Sequence, residues 1–317
     1  MRSIPVFRYD DLRAAGHSSH AVTASIQAGR LVRLRPGVFV DSVVWEAGPP
    51  EGRVVARAGA LDLISLTTPV FSHETAAALH GLPLYRPNPD RVHVIAGEGR
   101  PGAASGVVRH RGVLADDEVV EVDGLRCTSI ERTVADVART ATFEQAITIS
   151  DAALRTVCVP RPGEYSSDRA SQFRAASLEI ARRSAHGFTR AQRVLAFADG
   201  RAQLPGESIS RIRLWELGFR RMELQVRVPG PAGSNYYVDF GLHDVRAFGE
   251  FDGTMKYVDG RLTDGRTTTE VFDREKQRED WIRGRTQYRY ARWGWVHTAT
   301  AKTLGDRLLA FGIRAPA

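Results

Sequence analysis

The chain has 317 residues, 43% hydrophobic and 26% charged, with a net charge of +7. These are globular proportions, and they exclude a disordered or fibrous chain. No apolar run approaches the roughly 18 residues needed to span a bilayer, and the opening "MRSIPVFRYDDLRAAG" lacks a signal-peptide apolar core, so a cytoplasmic protein is expected.

A prior of about 100–200 residues per domain predicts two or three domains, and composition shifts along the chain favour three. Cys127 and Cys158 stand far apart with no CxxC or Cys/His cluster, so both are expected to be packing residues. Of the 44 basic residues only Lys256, Lys276 and Lys302 are lysines. Arginine offers a planar fork suited to phosphate, and with the positive balance this points toward a polyanionic partner.

Residues 1–45 read as a winged helix. "YDDLRAAG" predicts a short helix ended by Gly16, "HSSHAVTASIQAG" a second ended by Gly29, and "RLVRLRPGVFV" a hairpin around Pro-Gly. In that arrangement His17, Ser18, Ser19, His20 and Thr23 at the start of the second helix would read DNA bases, and Arg33 and Arg35 on the hairpin would meet phosphate.

Residues 46–160 read as a mixed α/β domain. "GRVVARAGALDLISL" and "SHETAAALHGL" predict helices; "RVHVIAG", "GVVRHRGVL" and "EVVEVDGLRCT" predict strands, the last folded at Asp123-Gly124. "TSIERTVADVAR" predicts a helix capped by Thr128 with Glu131 three positions on. His73, His80, His93 and His110 lack metal-ligand spacing in sequence and are expected to be packing or surface residues. "VCVPRPGEYSSD" predicts a linker, followed over 161–204 by an arginine-rich helical linker region.

From 205 to 317 the pattern is αβββαβ with a last helix from about 302. Alternation places Tyr237, Asp239 and Gly241 on one strand face opposite Val238, Phe240 and Leu242, and Phe248, Glu250 and Asp252 opposite Ala247, Gly249 and Phe251. Antiparallel pairing of these strands would bring Asp239 near Glu250. Two carboxylates on apolar-backed strands repel unless a cation pairs with them. A Mg²⁺ or Mn²⁺ ion, which takes hard oxygen ligands from one or two carboxylates, answers that need. Lys256, with Lys276 in reserve, would supply an ammonium beside it.

The order Glu207, Asp239, Glu250-Phe251-Asp252-Gly253 resembles the PD-(D/E)XK nuclease superfamily, in its branch similar to very-short-patch-repair endonucleases. Over nearly the whole length, "RPGVFV", "FSHETAAALHGLPLY" and "GLRCTSIERTVADVAR" resemble an abortive-infection type IV antitoxin-like half joined to that nuclease-like half. The resemblance implies an α+β multidomain protein with a restriction-endonuclease-like C-terminal domain. It also implies metal ligation by Glu207, Asp239 and Glu250, and DNA cleavage in defence against phage or foreign DNA. Asp252 stands where the superfamily motif carries lysine, so cleavage would depend on Lys256 or Lys276. The alternative is an antitoxin-like transcriptional regulator with an inactive nuclease-like domain; a third reading is an antitoxin that binds a cognate nucleotidyltransferase toxin.

Overall fold

The computed structural model describes residues 4–96, 102–104, 106–159, 161, 164–253 and 268–316, without the side chains of 102–104 and 268–272. The chain divides into two compact units, Met1–Ala198 and Asp199–Ala317. Among the described residues no helix is long and apolar enough to cross a membrane.

The first unit opens with strand β1 (Phe7–Arg8), helices α1 (Tyr9–Ala14) and α2 (Ser19–Gln27), and the hairpin β2 (Leu31–Arg35) and β3 (Val38–Asp41). Gly16, Gly29 and Gly37 take the left-handed backbone expected where these helices and the hairpin turn. Strand β1 adds to the hairpin, giving the order β1-β3-β2. Helices α3 (Ser42–Ala47) and α4 (Pro50–Asp62) follow. Ala56 and Ala60 of α4 join Ile4, Leu34, Val38 and Val40, whereas Ala58, with Val55 and Leu61, packs into the next core. This helix is therefore a wall shared by two cores, and the boundary expected at 45/46 does not separate independent parts.

The second core lies on a six-stranded sheet, order β6-β7-β5-β4-β9-β8. Its strands are β4 (Val70–Phe71), β5 (Val92–Ile95), β6 (Gly102–Ala104), β7 (Val107–His110), β8 (Val119–Val122) and β9 (Leu125–Thr128), with α5 (His73–Leu79) between β4 and β5. Asp123 and Gly124 both have positive φ, 49° and 78°, as a tight hairpin turn requires.

Helix α6 (Ile130–Thr140) follows, and here the expected cap is displaced by one residue. The Ser129 side chain accepts the Arg132 N–H, whereas Thr128 belongs to β9 and its hydroxyl pairs with Thr133 at 2.7 Å. Helices α7 (Phe143–Cys158), α8 (Ser167–Arg182) and α9 (Phe188–Phe197) complete the unit. Residues 161–204 were expected to form a helical linker region; the helices α8 and α9 are there, but they pack on α6 and α7, burying Ala170, Phe173, Ala181, Ala191, Val194 and Leu195. Small and apolar residues at helical spacing between the arginines make that packing possible. Cys127 and Cys158 are both buried, as expected.

The second unit runs α10 (Pro205–Glu216), β10 (Met222–Pro229), β11 (Asn235–Leu242), β12 (Ala247–Phe251), α11 (Thr268–Thr286), β13 (Arg289–Trp293) and α12 (Ala301–Ala310), the order read from sequence. Its sheet is β10-β11-β12-β13, antiparallel except for the parallel β12–β13 pair joined through α11. On one face Phe240, Leu242, Phe251 and Trp293 pack with Leu214 of α10 and Leu304 and Leu308 of α12. On the other, Val226, Val228, Val238, Phe248 and Tyr290 pack with Ile282 of α11.

Val238 and Phe240 thus serve different cores, contrary to simple alternation. Leu224 pairs with Phe240 and Val226 with Val238, and between them Gln225 has a left-handed backbone, φ 54°. One such residue re-aims the strand, as in a bulge. Asp239 faces Gln225 at the point where β10 and β11 change faces.

Candidate functional sites

Three sets of residues carry chemistry: the carboxylates of the second unit, the helix and hairpin near the start of the first, and a histidine group in the first.

Glu207 begins α10 and is 3% exposed. Its Oε2 accepts the Gln203 N–H at 2.8 Å and the Gln225 side-chain amide at 3.3 Å. The same amide lies 3.4 Å from Asp239 Oδ1, while Asp239 Oδ2 accepts the Phe251 N–H at 2.9 Å. One glutamine therefore links Glu207 to Asp239, and Asp239 is anchored beside Glu250 through the backbone of the next residue.

Glu250 was expected to need a metal cation as counter-charge, but the protein supplies that charge itself. Arg278 Nη2 donates to Glu250 Oε1 at 2.6 Å, and Arg292 Nη2 lies 3.2 Å from Oε2. Arg292 stands opposite Glu250 in the parallel β12–β13 register, so sheet pairing itself brings the guanidinium there. Burial would lower the Arg278 pKa, yet the Glu250 hydrogen bond and charge raise it above its ordinary value. Burial, and then the Glu250 charge, likewise push the Tyr290 phenol up.

Glu207, Asp239 and Glu250 do not close into a metal-sized group of three. Glu207 comes from the helix packed on one face of the sheet, and Glu250 is gripped by α11 on the other. Asp252 is half-buried, its N–H donating to the Trp293 carbonyl at 2.7 Å. Lys276 is exposed on α11, and Lys256 lies outside the described residues.

His17, Ser18, Ser19, His20 and Thr23 are all exposed at the start of α2. Ser18 Oγ accepts the Ala21 N–H as helix cap, and Thr23 Oγ1 donates to the Ser19 carbonyl. Arg33 is exposed over Phe39, its guanidinium carbon 5.9 Å from the ring. Arg35 is half-buried, and burial with the charges of Arg57 and Arg109 lowers its pKa. Arg57 is itself paired with Asp90 at 2.6 Å.

The histidine group was not legible from spacing. His73 at the start of α5, His93 on β5 and His110 ending β7 bring one ring nitrogen each to within 4.8 Å of one another. His93 Nδ1 is 2.9 Å from His110 Nε2, and the His73 and His110 rings stack at 3.6 Å between centroids. Burial, then neighbouring imidazoles and arginines, lowers His73 well below its ordinary value. Burial foremost also lowers His93 and His110, each to about 4. All three rings are therefore neutral at physiological pH. Only the parallel pairing of β5 with β7, Ile95 opposite His110, makes neighbours of residues so far apart in sequence.

Fold and sites together define a multidomain α+β protein with two sheets in its first unit and one in its second. No family model matches the chain. It is 30% identical over 227 residues to two Mycobacterium tuberculosis proteins, uncharacterized protein MT2308 of strain CDC 1551 / Oshkosh and uncharacterized protein Rv2248 of strain ATCC 25618 / H37Rv. The match covers 72% of this chain and 75% of each relative, and the chain belongs to the family of these mycobacterial proteins. Among solved structures, that of the RV2827C protein from Mycobacterium tuberculosis aligns at 16% identity over 60% of this chain and 75% of that chain, with a TM-score of 0.34.

Proposed function

We propose that the chain is a DNA-directed, Mg²⁺-dependent phosphodiesterase, with a winged-helix targeting element in residues 1–45 and a nuclease-like second unit. The observation that carries this reading is the placement of Asp239. It sits where two strands change faces, tied through Gln225 to Glu207 and through the Phe251 N–H to the strand bearing Glu250. The donors fit Mg²⁺, which takes one or two carboxylates together with substrate phosphate. Glu207 and Asp239 would hold it, and Glu250 would join them on release from Arg278 and Arg292. A bound ion would neutralise phosphodiester charge and acidify water.

The chain's own residues do the rest. Arg278 and Arg292 carry planar forks suited to phosphate oxygens, so a DNA backbone could exchange with Glu250 as their partner. Lys256 or Lys276 would supply the ammonium that Asp252 does not. Exposed His20, Ser19 and Thr23 would meet base edges, and Arg33 and Arg35 phosphates. A cytoplasmic setting belongs to this reading. Incubation with plasmid and single-stranded DNA plus Mg²⁺ or Mn²⁺ tests it. Nicking that is lost in Asp239→Asn and Glu250→Ala is expected, and no nicking, or nicking unchanged in both variants, overturns it.

A second reading rests on the ion pairs of Glu250 with Arg278 and Arg292. A carboxylate already neutralised, beside Asp252 at the motif's lysine position, favours an antitoxin-like transcriptional regulator whose nuclease-like unit has no chemistry. It predicts a footprint on DNA upstream of the chain's own gene that weakens in His20→Ala and Arg33→Ala, with no cleavage. A cognate toxin would be a partner under either reading, and co-purification with the product of the adjacent gene tests that.

A further inference from the structure

The histidine group lies in the first unit, apart from the carboxylates, and nothing in the proposed phosphodiesterase uses it. From its geometry we propose that His73, His93 and His110 form a binding site for one transition-metal dication of the zinc class.

For His73 and His93, one ring nitrogen has a partner outside the group or faces one. His73 Nδ1 is engaged by Ser72 Oγ at 3.0 Å, which leaves Nε2, fully buried and without a hydrogen-bond partner among the described residues. His93 turns Nδ1 to His110 Nε2, and its own Nε2 lies 3.9 Å from the Glu74 carboxylate. An imidazole whose far nitrogen faces a carboxylate is the usual outer arrangement of a metal-bound histidine, since the acid sets the tautomer and raises ligand basicity. Glu74 is itself poorly satisfied, with Oε1 buried and unpartnered.

Imidazole nitrogens suit zinc, copper and nickel more than Mg²⁺ or Ca²⁺. Around a tetrahedral ion with bonds of about 2.0–2.1 Å, ligand nitrogens stand roughly 3.3 Å apart; here one pair is 2.9 Å apart and all three nitrogens lie within 4.8 Å of one another. The rings are nearly parallel, His73 to His110 at 17°, so a shared ion requires at least one ring to turn about its Cβ–Cγ bond until its in-plane lone pair meets the others. Of the nearby positive charges, Arg132 is paired with Glu118 and Asp136, Arg139 shares Asp136, and Arg91 lies near both His93 and the Glu74 carboxylate that His93 faces. His73 also holds a left-handed backbone, φ 52°, a conformation side chains rarely adopt and one that recurs at ligand sites. The ion would join the start of α5 to strands β5 and β7.

The test uses the full chain, freed of metal by chelation and titrated with Zn²⁺ and with Co²⁺. One equivalent is expected to bind, and ring ¹⁵N resonances of three of the nine histidines are expected to shift. Binding should be lost in His93→Gln and His110→Gln, weakened about 10- to 100-fold in Glu74→Gln, and kept in Asp239→Asn and in His80→Gln, whose ring instead meets the Thr128 carbonyl. Circular dichroism identifies a variant that has not folded, and the wild-type resonances then decide alone. Failure of wild type to bind one equivalent, no shift in three rings, equal binding by both His variants, or loss in Asp239→Asn each overturns the proposal.

Discussion

At the scale of single residues, Glu250 is the most informative side chain because its partners differ from those its surroundings in sequence suggest. Its ion pairs are largely out of solvent, with Arg278 16% and Glu250 12% exposed. Removing one partner of such a pair leaves an uncompensated charge. Arg278→Met is expected to destabilise the protein by roughly 3 kcal/mol, toward the low end because Arg292 remains, as read from urea unfolding. The same variant should bind Mn²⁺ more tightly if Glu250 is a ligand held in reserve; unchanged affinity would count against that role.

Asp199 sets a pH dependence. Burial pushes its carboxyl up, but hydrogen bonds from the Arg201 side chain and N–H, with the charges of Arg201 and Arg211, hold it below its ordinary 3.8. A depressed carboxyl contributes stability that is complete above its unfolded value and lost as pH falls through the folded one. Thermal midpoints should therefore fall below about pH 4 in wild type and fall less steeply in Asp199→Asn.

At the scale of elements, two features have measurable consequences. Ser129 caps α6, so Ser129→Ala should cost about 1 kcal/mol in chemical denaturation. Thr128→Val acts by a different route, since it leaves the buried Thr133 hydroxyl without that partner.

In the second unit, glycines set how closely the layers approach. A β-carbon at Gly249 would stand 2.1 Å from the Trp293 ring, and one at Gly206 2.0 Å from Phe251. Trp293 is held on its other side by its indole N–H to Ser210 Oγ, 2.8 Å, so the ring cannot retreat without losing that bond. Gly249→Ala should cost at least about 1–3 kcal/mol and disturb near-ultraviolet dichroism from Trp293; a neutral effect would mean the strand can shift to absorb the methyl.

For the whole molecule, the net charge of +7 and the preponderance of arginine bear on long-range attraction rather than on fold. If the chain binds DNA, affinity should fall linearly in log–log with salt, and Arg33→Ala should reduce the slope by about 1 while weakening all sequences alike. An unchanged slope would remove Arg33 from the interface. The chain divides between Ala198 and Asp199, so α8 and α9 belong to the first unit, and Pro160, Pro162 and Gly163 of the expected linker lie outside the described residues.

What the sequence determined by itself is local. Helix ends at Gly16 and Gly29, the Asp123-Gly124 turn and the αβββαβ order of the second unit follow from backbone freedom and hydrophobic period, which act over a few residues. Asp239 and Glu250 were singled out on the same footing, as acids in apolar surroundings, and Glu207 only through the resemblance. Only the tertiary structure decided their partners. The arginines that neutralise Glu250 come from a helix and a parallel strand reached after a crossover, the face change at Asp239 depends on one left-handed residue in the neighbouring strand, and the three histidines meet through parallel strand pairing. Periodicity carries no information about such long-range register, because it is set by how whole elements bury their faces against one another.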